Sequence, residues 1–140
     1  MAKIIVEKTN PNAKIPERMT TGSGGYDLST PNDVNIPPEA FQWVNIGLKI
    51  KMPAFHVGII KDRSSIANRG IYIHSGVVDE DFRGTIKAHM YNSTKEAIQF
   101  YKGERICQIL IMKYEDFEIN EGKISEETKR GEKGLGSTGK

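Results

Sequence analysis

The segment RGEKGLGSTGK at residues 130–140 combines the residue types that bind phosphate groups. Arginine presents a planar fork of donors to phosphate oxygens, and glycine-rich backbone and hydroxyl side chains add neutral donors. The spacing is similar to a Walker P-loop, but that loop needs a strand before it and a helix after it. Here a charged segment precedes the glycines and no helical run follows them. The segment therefore predicts either a flexible flap that wraps an anion or a solvated tail.

Four further clusters of polar residues lie at the ends of expected strands or in tight turns. They are GSGGYDLST at 22–30, KDRSSIANRG at 61–70, SGVVDEDFRGTI at 75–86 and YKGERICQILI at 101–111. Each has a structural interpretation: Asp27 suits a turn, the acids beside Phe82 suit a solvated hairpin tip, and Gln108 can satisfy a neighbouring backbone group. Taken singly, none of the clusters separates a structural role from a functional one.

Short apolar runs separated by Gly, Pro, Asn and Asp predict the strands that position these clusters. The expected strands cover residues 3–7, 41–52, 56–60, 70–74, 85–92, 97–100 and 105–112. In the second, apolar residues alternate with polar residues or glycine from Val44 to Met52, which predicts one buried face. Helical periodicity is limited to a turn or two around Asn68. Six or more short strands in one small domain predict an all-β, jelly-roll-like barrel or sandwich.

The composition changes at Glu121, where glycines and charges replace the apolar runs. Ile124 and Leu135 are the only large apolar side chains beyond that point. Such a segment buries too little surface to offset the entropy of ordering it. We therefore expect a β domain over residues 1–120 and a mobile C-terminal arm over residues 121–140 that carries the glycine-rich motif.

The bulk composition narrows the class of protein. The 140 residues carry a net charge of +2 with acids and bases interspersed, which argues against stable nucleic-acid binding. No run approaches the ~18 apolar residues of a membrane span, and no signal peptide is recognisable. We expect an intracellular protein without a membrane partner, in the cytoplasm, or in the nucleus if the source is eukaryotic or viral. The single cysteine, Cys107, lies in an apolar run and predicts a buried, inert thiol.

In this order, the five clusters resemble the five motifs of the trimeric deoxyuridine triphosphatase (dUTPase) family over residues 25–139. The matching stretches are GYDL at 25–28, RSS at 63–65, GVVDEDFRG at 76–84, GERICQ at 103–108 and RGEKGLGSTG at 130–139. The resemblance implies a β-clip, jelly-roll-like subunit that assembles into a homotrimer with shared active sites. It also implies a hydrolase that cleaves dUTP to dUMP and pyrophosphate, by attack of water on the α-phosphorus with Mg²⁺ on the triphosphate. This reaction would limit uracil incorporation into DNA and supply dUMP for dTMP synthesis.

The resemblance also assigns roles to individual residues. Asp79 would be the catalytic residue, because its carboxylate can position and deprotonate water. The backbone of residues 73–78, including Gly76 and Val78, would read the uracil edge, and a Cβ at residue 76 would obstruct the base. Phe82 would pack on the deoxyribose and exclude a 2′-hydroxyl group.

Phosphate contacts and supporting residues complete the implied site. The phosphate contacts would come from Arg63, Ser64, Ser65, Gln108, Arg130, Ser137 and Thr138, and Leu135 and Gly136 of the arm would also bind the substrate. Asp27 and Arg105 would support the subunit interface and the shell of water around the metal. Substrate phosphates and water would hold Mg²⁺ without a direct protein ligand. The three histidines, His56, His74 and His89, lack zinc spacing.

Two departures from the family pattern affect these roles. Leu135 stands where the family usually has a phenylalanine that closes over uracil, and leucine can cover the base but cannot stack on it. Asp62 adds a negative charge beside Arg63, and we expect its side chain to point away from the triphosphate.

Two other functions compete with dUTP hydrolysis. A dCTP deaminase shares the fold and the RSS motif, but the places of its second arginine and its proton-transferring glutamate hold Asn68 and His89 here. A non-catalytic dUTPase-fold binding protein would keep the scaffold without turnover. The intact Asp79, Arg63 and Gln108 argue against that reading, and pyrophosphate release from dUTP separates the two.

Overall fold

Eleven short strands and one four-residue helix form in the computed structural model, which describes residues 3–136 and 139. The strands are β1 (Ile5–Lys8), β2 (Gly25–Ser29), β3 (Val34–Ile36), β4 (Ala40–Asn45), β5 (Leu48–Lys51), β6 (His56–Lys61), β7 (Ile71–His74), β8 (Val77–Val78), β9 (Lys87–Asn92), β10 (Ile98–Phe100) and β11 (Arg105–Lys113). The helix α1 (Ser64–Ala67) follows β6, and Asn68 is its C-cap. This confirms the short helical turn expected around that residue.

The paired strands are all antiparallel and form four sheets within the part of the chain that the structure describes. The two larger sheets have the strand orders β2-β11-β6-β8 and β4-β9-β7, while β1 pairs with β5 and β3 pairs with β10. They enclose one apolar core, whose buried side chains include Leu28, Ile60, Met90, Phe100 and Ile109. The predicted all-β fold is confirmed.

The strand predicted over residues 41–52 is wrong as one continuous element, because the chain turns at Gly47. Its φ of 74° is left-handed, and its amide donates to Asn45 Oδ1 at 2.8 Å. That turn separates β4 from β5. The predicted burial pattern nevertheless holds across the break, since Val44, Ile46, Leu48, Ile50 and Met52 are all buried.

Three strands lack the sequence pattern that revealed the others. β2 contains a glycine and a charged residue, β3 has three residues and β8 has two. The glycine and the aspartate interrupt the apolar residues of β2, and β3 and β8 are too short to establish an alternation by themselves. Their conformation is determined by the neighbouring strands β11, β10 and β6, which lie far away in the sequence.

The prediction of a buried thiol is confirmed. Cys107 lies in β11 with no exposed surface, and burial raises the pKa of its thiol to about 12, with the Asp27 carboxylate acting in the same direction. The thiol is therefore protonated at neutral pH.

The described chain beyond β11 forms no strand or helix between residues 114 and 136, and every side chain from Met112 to Gly136 is exposed. The boundary at residue 120 and the mobility of the arm stay predictions. Within residues 3–136 and 139, no helix has the length and apolar character that a membrane span requires.

Candidate active site

Asp27 holds two arginines at one end of the β2-β11-β6-β8 sheet. Arg63 Nε donates to Asp27 Oδ1 and Arg105 Nη1 donates to Asp27 Oδ2, each at 3.0 Å. The side chains of Asp27 and Arg63 are only 13% and 22% exposed, so the charges are partly desolvated and depend on being paired. The three residues meet because β11 pairs with β2 on one side and with β6 on the other. We call Asp27, Arg63, Arg105 and Gln108 the arginine cluster.

The guanidinium of Arg63 is oriented by the chain itself. Nη1 donates to the carbonyl of Arg105 at 3.1 Å, in addition to the bond from Nε to Asp27. Across residues 3–136 and 139, no hydrogen bond is found from Arg63 Nη2, so this nitrogen can donate to an anion. Ser64 and Ser65 follow as the exposed first residues of α1. The structure thus brings Asp27, Arg63 and Arg105 together, with the two serines next in the chain.

Gln108 closes the arginine cluster on the β2 side. Its Nε2 donates to the carbonyl of Asp62 at 2.9 Å, and its Oε1 lies over Gly25, where an added Cβ would stand only 2.1 Å away. Glycine at residue 25 is therefore required for Gln108 to lie in this position. The Asp62 carboxylate lies 3.7 Å from Lys61 Nζ. A phosphate contact from Gln108 stays a prediction.

Gly76 connects β7 to β8 in a conformation that favours glycine. Its φ is 154°, its carbonyl accepts from the Ile60 amide at 2.8 Å, and an added Cβ would lie 2.9 Å from both Cβ and O of Ile60. The sequence predicts that glycine is needed because a side chain would obstruct a base. The structure adds a second reason, which is the close approach of this backbone to β6; the obstruction of a base stays a prediction.

β8 is the edge strand of its sheet, so one side of its backbone has no neighbouring strand within the described chain. Gly76 pairs with Ile60, and Val78 pairs with Gly58. By the alternation of an antiparallel ladder, the amide and carbonyl of Val77 point away from β6. Val77 was not singled out from the sequence. Val78 was predicted to read the base, but its side chain is buried in the core and its backbone amide and carbonyl point toward β6.

A cavity of about 530 Å³ opens beside this free edge, and we call it the hairpin cavity. Its lining residues include Trp43, Asn45, Gly76, Val77, Val78, Phe82, Gly84 and Lys87. The Phe82 ring lies against Gly84, where an added Cβ would stand 2.5 Å from Phe82 Cζ. The structure therefore brings Gly76, Val78 and Phe82 to one cavity, as a shared role in base and sugar binding requires. Trp43 was missed, although the alternation in its strand places it on the solvated face.

Asp79 is exposed and directly follows β8. Its carbonyl accepts from the Phe82 amide at 3.2 Å, which closes the turn between the two residues. Its side chain lines a second cavity of about 640 Å³, with Val57, Glu80, Asp81 and Tyr114. We call this the turn cavity. The turn over residues 79–82 thus separates Asp79 from the hairpin cavity that Phe82 lines.

Glu80 ties this turn to two neighbouring segments. Its carboxylate accepts a hydrogen bond from the amide of Phe55, a non-glycine residue with φ of 59°, and Tyr114 donates its amide to the Phe55 carbonyl at 2.9 Å. The Tyr114 hydroxyl beside Glu80, together with the Phe55 amide, lowers the pKa of the Glu80 carboxyl, and Glu80 in turn raises the pKa of Tyr114. Neither Glu80 nor Tyr114 was expected from the sequence.

The arginine cluster and the turn cavity lie at opposite ends of β6. Val78 pairs with Gly58, which sets Asp79 beside Val57 at the start of the strand. Arg63 follows the other end of the strand at Lys61. Positions 57 and 63 are six residues apart, a distance of about 20 Å along an extended strand. Within one chain, the predicted catalytic carboxylate and the predicted phosphate-binding arginine do not meet.

The described part of the arm lies apart from both groups. Arg130 Nε donates to the carbonyl of Lys133 at 2.9 Å within its own turn. Leu135 is fully exposed, and Gly136 has a φ of 76°. Ser137 and Thr138 lie outside the described residues. The structure does not bring the arm residues to the other predicted site residues, so their roles stay predictions.

The carboxylates are not grouped as a preformed metal cage. In the described ranges, no group of three or more His, Cys, Asp or Glu side chains is placed to hold a metal ion. Asp79, Glu80 and Asp81 line the turn cavity, and of the three Asp79 and Asp81 are exposed to solvent. Such an arrangement suits a cation that arrives with a substrate and its water shell.

The sequence matches a family model described as dUTPase over residues 11–139. The deoxyuridine 5′-triphosphate nucleotidohydrolase of Monkeypox virus is 38% identical over 134 residues, which cover 96% of this chain and 88% of that protein. The protein of the same name from Vaccinia virus (strain Copenhagen) is 37% identical, with 96% of this chain and 90% of that protein covered.

Solved structures show the same fold at low sequence identity. A mutant dUTPase of Staphylococcus bacteriophage 80alpha with dUpNHpp superposes with a TM-score of 0.91 at 22% identity, and 99% of each chain is covered. A mutant dUTPase from phage phi11 of S. aureus, described with a coordinated structural Mg(II) ion, has a TM-score of 0.82 at 18% identity. That match covers 89% of this chain and 99% of the other.

Proposed function

The chain belongs to the dUTPase family, and on that premise we propose that it hydrolyses dUTP to dUMP and pyrophosphate. The observation that carries the proposal is that the free backbone edge at Val77, which lines the hairpin cavity, lies two residues before Asp79 in the chain. The free amide and carbonyl of Val77 offer the donor and acceptor that pair with the edge of uracil. Asp79, two residues further along the chain, supplies a carboxylate that can position and deprotonate the attacking water.

Phe82 gives the hairpin cavity its selectivity for the sugar. The ring is fixed against Gly84 and lines the same cavity as the β8 edge. A flat ring packed on C2′ of the deoxyribose leaves no space for a hydroxyl group there. The ribonucleotide UTP is therefore excluded by contact with the ring rather than by a hydrogen bond.

The active enzyme in this proposal is a homotrimer whose sites are shared between chains. A triphosphate held at Asp79 does not reach the arginine cluster of the same chain, because the length of β6 lies between them. A neighbouring copy can place its own arginine cluster against this chain's Asp79, and closed symmetry then repeats the arrangement at each interface. The oriented guanidinium of Arg63 and the hydroxyls of Ser64 and Ser65 would bind the phosphates.

Two exposed side chains just before the arm support its association with a neighbouring copy. Phe117 and Ile119 are 72% and 94% exposed and stand two residues apart, as on one face of a strand. The 16 residues from 115 to 130 can span up to about 50 Å when extended. This reach allows Arg130, Leu135, Gly136, Ser137 and Thr138 to close over a site on another chain.

Mg²⁺ enters this proposal with the substrate. The ion prefers oxygen ligands, keeps several waters and binds through phosphates with few protein groups. The Asp79 carboxylate fits this chemistry because this exposed residue lines the open turn cavity. When bound, Mg²⁺ neutralises charge on the phosphate oxygens. An intracellular location belongs to the same proposal, since the substrate is an intracellular metabolite.

The test is pyrophosphate release from dUTP, dTTP, dCTP and UTP, each measured with Mg²⁺ and with a chelator. We expect release from dUTP with Mg²⁺, little from the other three nucleotides, and none after chelation. Equal release from all four nucleotides would contradict the assigned selectivity. Binding of dUTP without any release would show a nucleotide-binding protein instead of an enzyme.

A further inference from the structure

A row of aromatic rings on the outer face of the β4-β9-β7 sheet ends at the hairpin cavity. Phe41 and Trp43 project from β4 and lie opposite Tyr91 and His89 of β9. Trp43 is 54% exposed, and it is the only tryptophan in the chain. A large exposed ring at the rim of a ligand cavity is an unusual use of tryptophan, which is mostly buried in folded proteins.

The stacking in this row determines which face of the indole is open. Trp43 stacks on His89 with ring centroids 4.1 Å apart and planes 13° from parallel, and Phe41 stacks on His89 at 4.9 Å and 23°. No ring contact joins Phe41 to Trp43 among the residues that the structure describes, so the two rings occupy opposite faces of the imidazole. One indole face is therefore covered by His89, and the other points away from Phe41.

The open indole face is directed toward the hairpin cavity. The next cross-strand pair beyond Trp43 and His89 is Asn45 and Lys87, and both of these residues line that cavity together with Trp43. The same cavity is bordered by the free backbone edge at Val77. It therefore combines groups that can hydrogen-bond to the edge of a planar ring with a surface that can stack on its face.

We propose that Trp43 is a substrate-binding residue whose open face stacks on the uracil ring of the bound nucleotide. This proposal rests on the proposed function, because it requires the base to lie in the hairpin cavity. A base that is hydrogen-bonded along its edge to the β8 backbone keeps both flat faces free. Stacking on the indole covers one of these faces and replaces water there.

Trp43 and the backbone of β8 have different roles in this proposal because their chemistry differs. Stacking between a base and an aromatic side chain tolerates any base, because every base has a π-face. Trp43 therefore contributes affinity for the base, while the backbone of β8 supplies the choice of uracil. His89 supports the indole from behind, which restricts the ring to an orientation that is ready for stacking.

Intrinsic fluorescence tests the proposal without any mutation, since every emitted tryptophan photon comes from Trp43. We expect saturable quenching when dUMP or the non-hydrolysable analogue dUpNHpp is added. Inorganic pyrophosphate, which has no base, should leave the emission unchanged. If calorimetry shows that both nucleotides bind while the tryptophan emission stays unchanged, the proposal is overturned.

Substitutions provide a second test with a matched control. Trp43→Leu should raise KM for dUTP about fivefold to tenfold, the loss expected for one exposed stacking contact, and change kcat by less than about twofold. Trp43→Phe keeps a ring and should restore most of the affinity. Phe41→Leu removes the ring on the far side of His89, outside the cavity lining, and should leave KM within about twofold of the wild type.

The outcomes separate this proposal from the proposed function. No calorimetric binding of any deoxyuridine nucleotide, and no hydrolysis, would contradict the proposed function itself. Normal hydrolysis with equal KM in the Trp43→Leu, Trp43→Phe and Phe41→Leu variants would overturn only the role of Trp43. A third outcome is that the Trp43→Leu variant dissociates into monomers and the wild-type tryptophan emission does not change when nucleotide is added. This outcome would show that the indole contacts a second copy of the chain, and it would also overturn the proposal.

Discussion

Asp79 and Arg63 lie at opposite ends of strand β6, about 20 Å apart along the chain direction. Asp79 faces an open cavity beside the start of the strand, and Arg63 is clamped by Asp27 beyond its end. This separation keeps the two side chains from meeting within one chain. It supports the proposal that a neighbouring copy completes the site.

Replacing Asp79 by asparagine should abolish turnover and preserve nucleotide binding. The amide keeps the shape of the side chain but cannot accept the proton of the attacking water, so kcat should fall by at least ~10²-fold. The affinity for dUpNHpp, measured by calorimetry, should change little. Asp81→Asn, in the same exposed turn, is the control and should keep kcat within about tenfold of the wild type. An active Asp79→Asn enzyme would remove this residue from its assigned role.

The stability of the turn should fall in acid because of Glu80. The Tyr114 hydroxyl beside this carboxyl and the hydrogen bond from the Phe55 amide lower its pKa in the folded chain. The pKa of this carboxyl is lower in the folded chain than in the unfolded chain, for which 4.5 is the reference. The ionised carboxylate therefore stabilises the fold fully above the unfolded-state pKa. This stabilisation is lost as the pH falls through the folded-state pKa. The melting temperature should therefore drop as the pH is lowered below the unfolded-state pKa. The Glu80→Gln variant lacks the titrating carboxyl, so its melting temperature should fall less over the same pH range. The control Asp81→Asn keeps Glu80 and should show the larger fall, with both measured by thermal unfolding at fixed protein concentration.

Gly76→Ala should destabilise the fold itself, in addition to any effect on activity. The new Cβ would lie 2.9 Å from the carbonyl oxygen of Ile60, and residue 76 would have to keep a φ of 154°. We expect a loss of about 1–3 kcal/mol in the free energy of unfolding, measured with urea. Gly122→Ala, where an added Cβ meets no atom within 4 Å, should change it by less than about 0.5 kcal/mol. Equal stabilities would show that Gly76 matters only for the ligand.

Deleting residues 130–140 should leave a folded trimer that is nearly inactive. The described residues of this segment are exposed and add nothing to the core, so the melting temperature should stay close to that of the full chain. The phosphate donors of the arm are lost, so pyrophosphate release should fall by orders of magnitude. Light scattering measures the trimer, thermal unfolding measures the stability of the fold, and pyrophosphate release measures the activity. A truncated chain that unfolds would show that the arm is part of the folded body.

The sequence predicted best what depends on local pattern. The alternation from Val44 to Met52 correctly gave the buried face, because side chains on a strand alternate whatever the chain does next. It could not show the break at Gly47, which depends on a left-handed turn. The residue pattern did not show the two-residue strand β8 either, and residues 77 and 78 were expected in a strand only from the family resemblance.

Relations between distant residues limited the prediction of the site. The motifs identified Asp27, Arg63 and Arg105, but nothing in the sequence shows that one carboxylate holds both arginines across 36 and 78 residues. Glycine at residue 76 was expected to matter for the base, and the sequence could not show that a Cβ there would also meet Ile60 on another strand. Trp43 was missed, because only the tertiary structure reveals that its face of the strand borders a cavity.

Mixing two inactive variants tests the shared site most directly. Asp79→Asn and Arg63→Ala are each expected to be inactive alone, and they should be unfolded together, refolded in equal amounts and assayed for pyrophosphate release from dUTP. If each site takes Asp79 from one chain and Arg63 from another, about a quarter of the sites in random trimers contain both wild-type residues. We predict that the mixture recovers about a quarter of wild-type activity. A mixture that stays as inactive as its two components would show that both residues act within one chain, and would contradict the account.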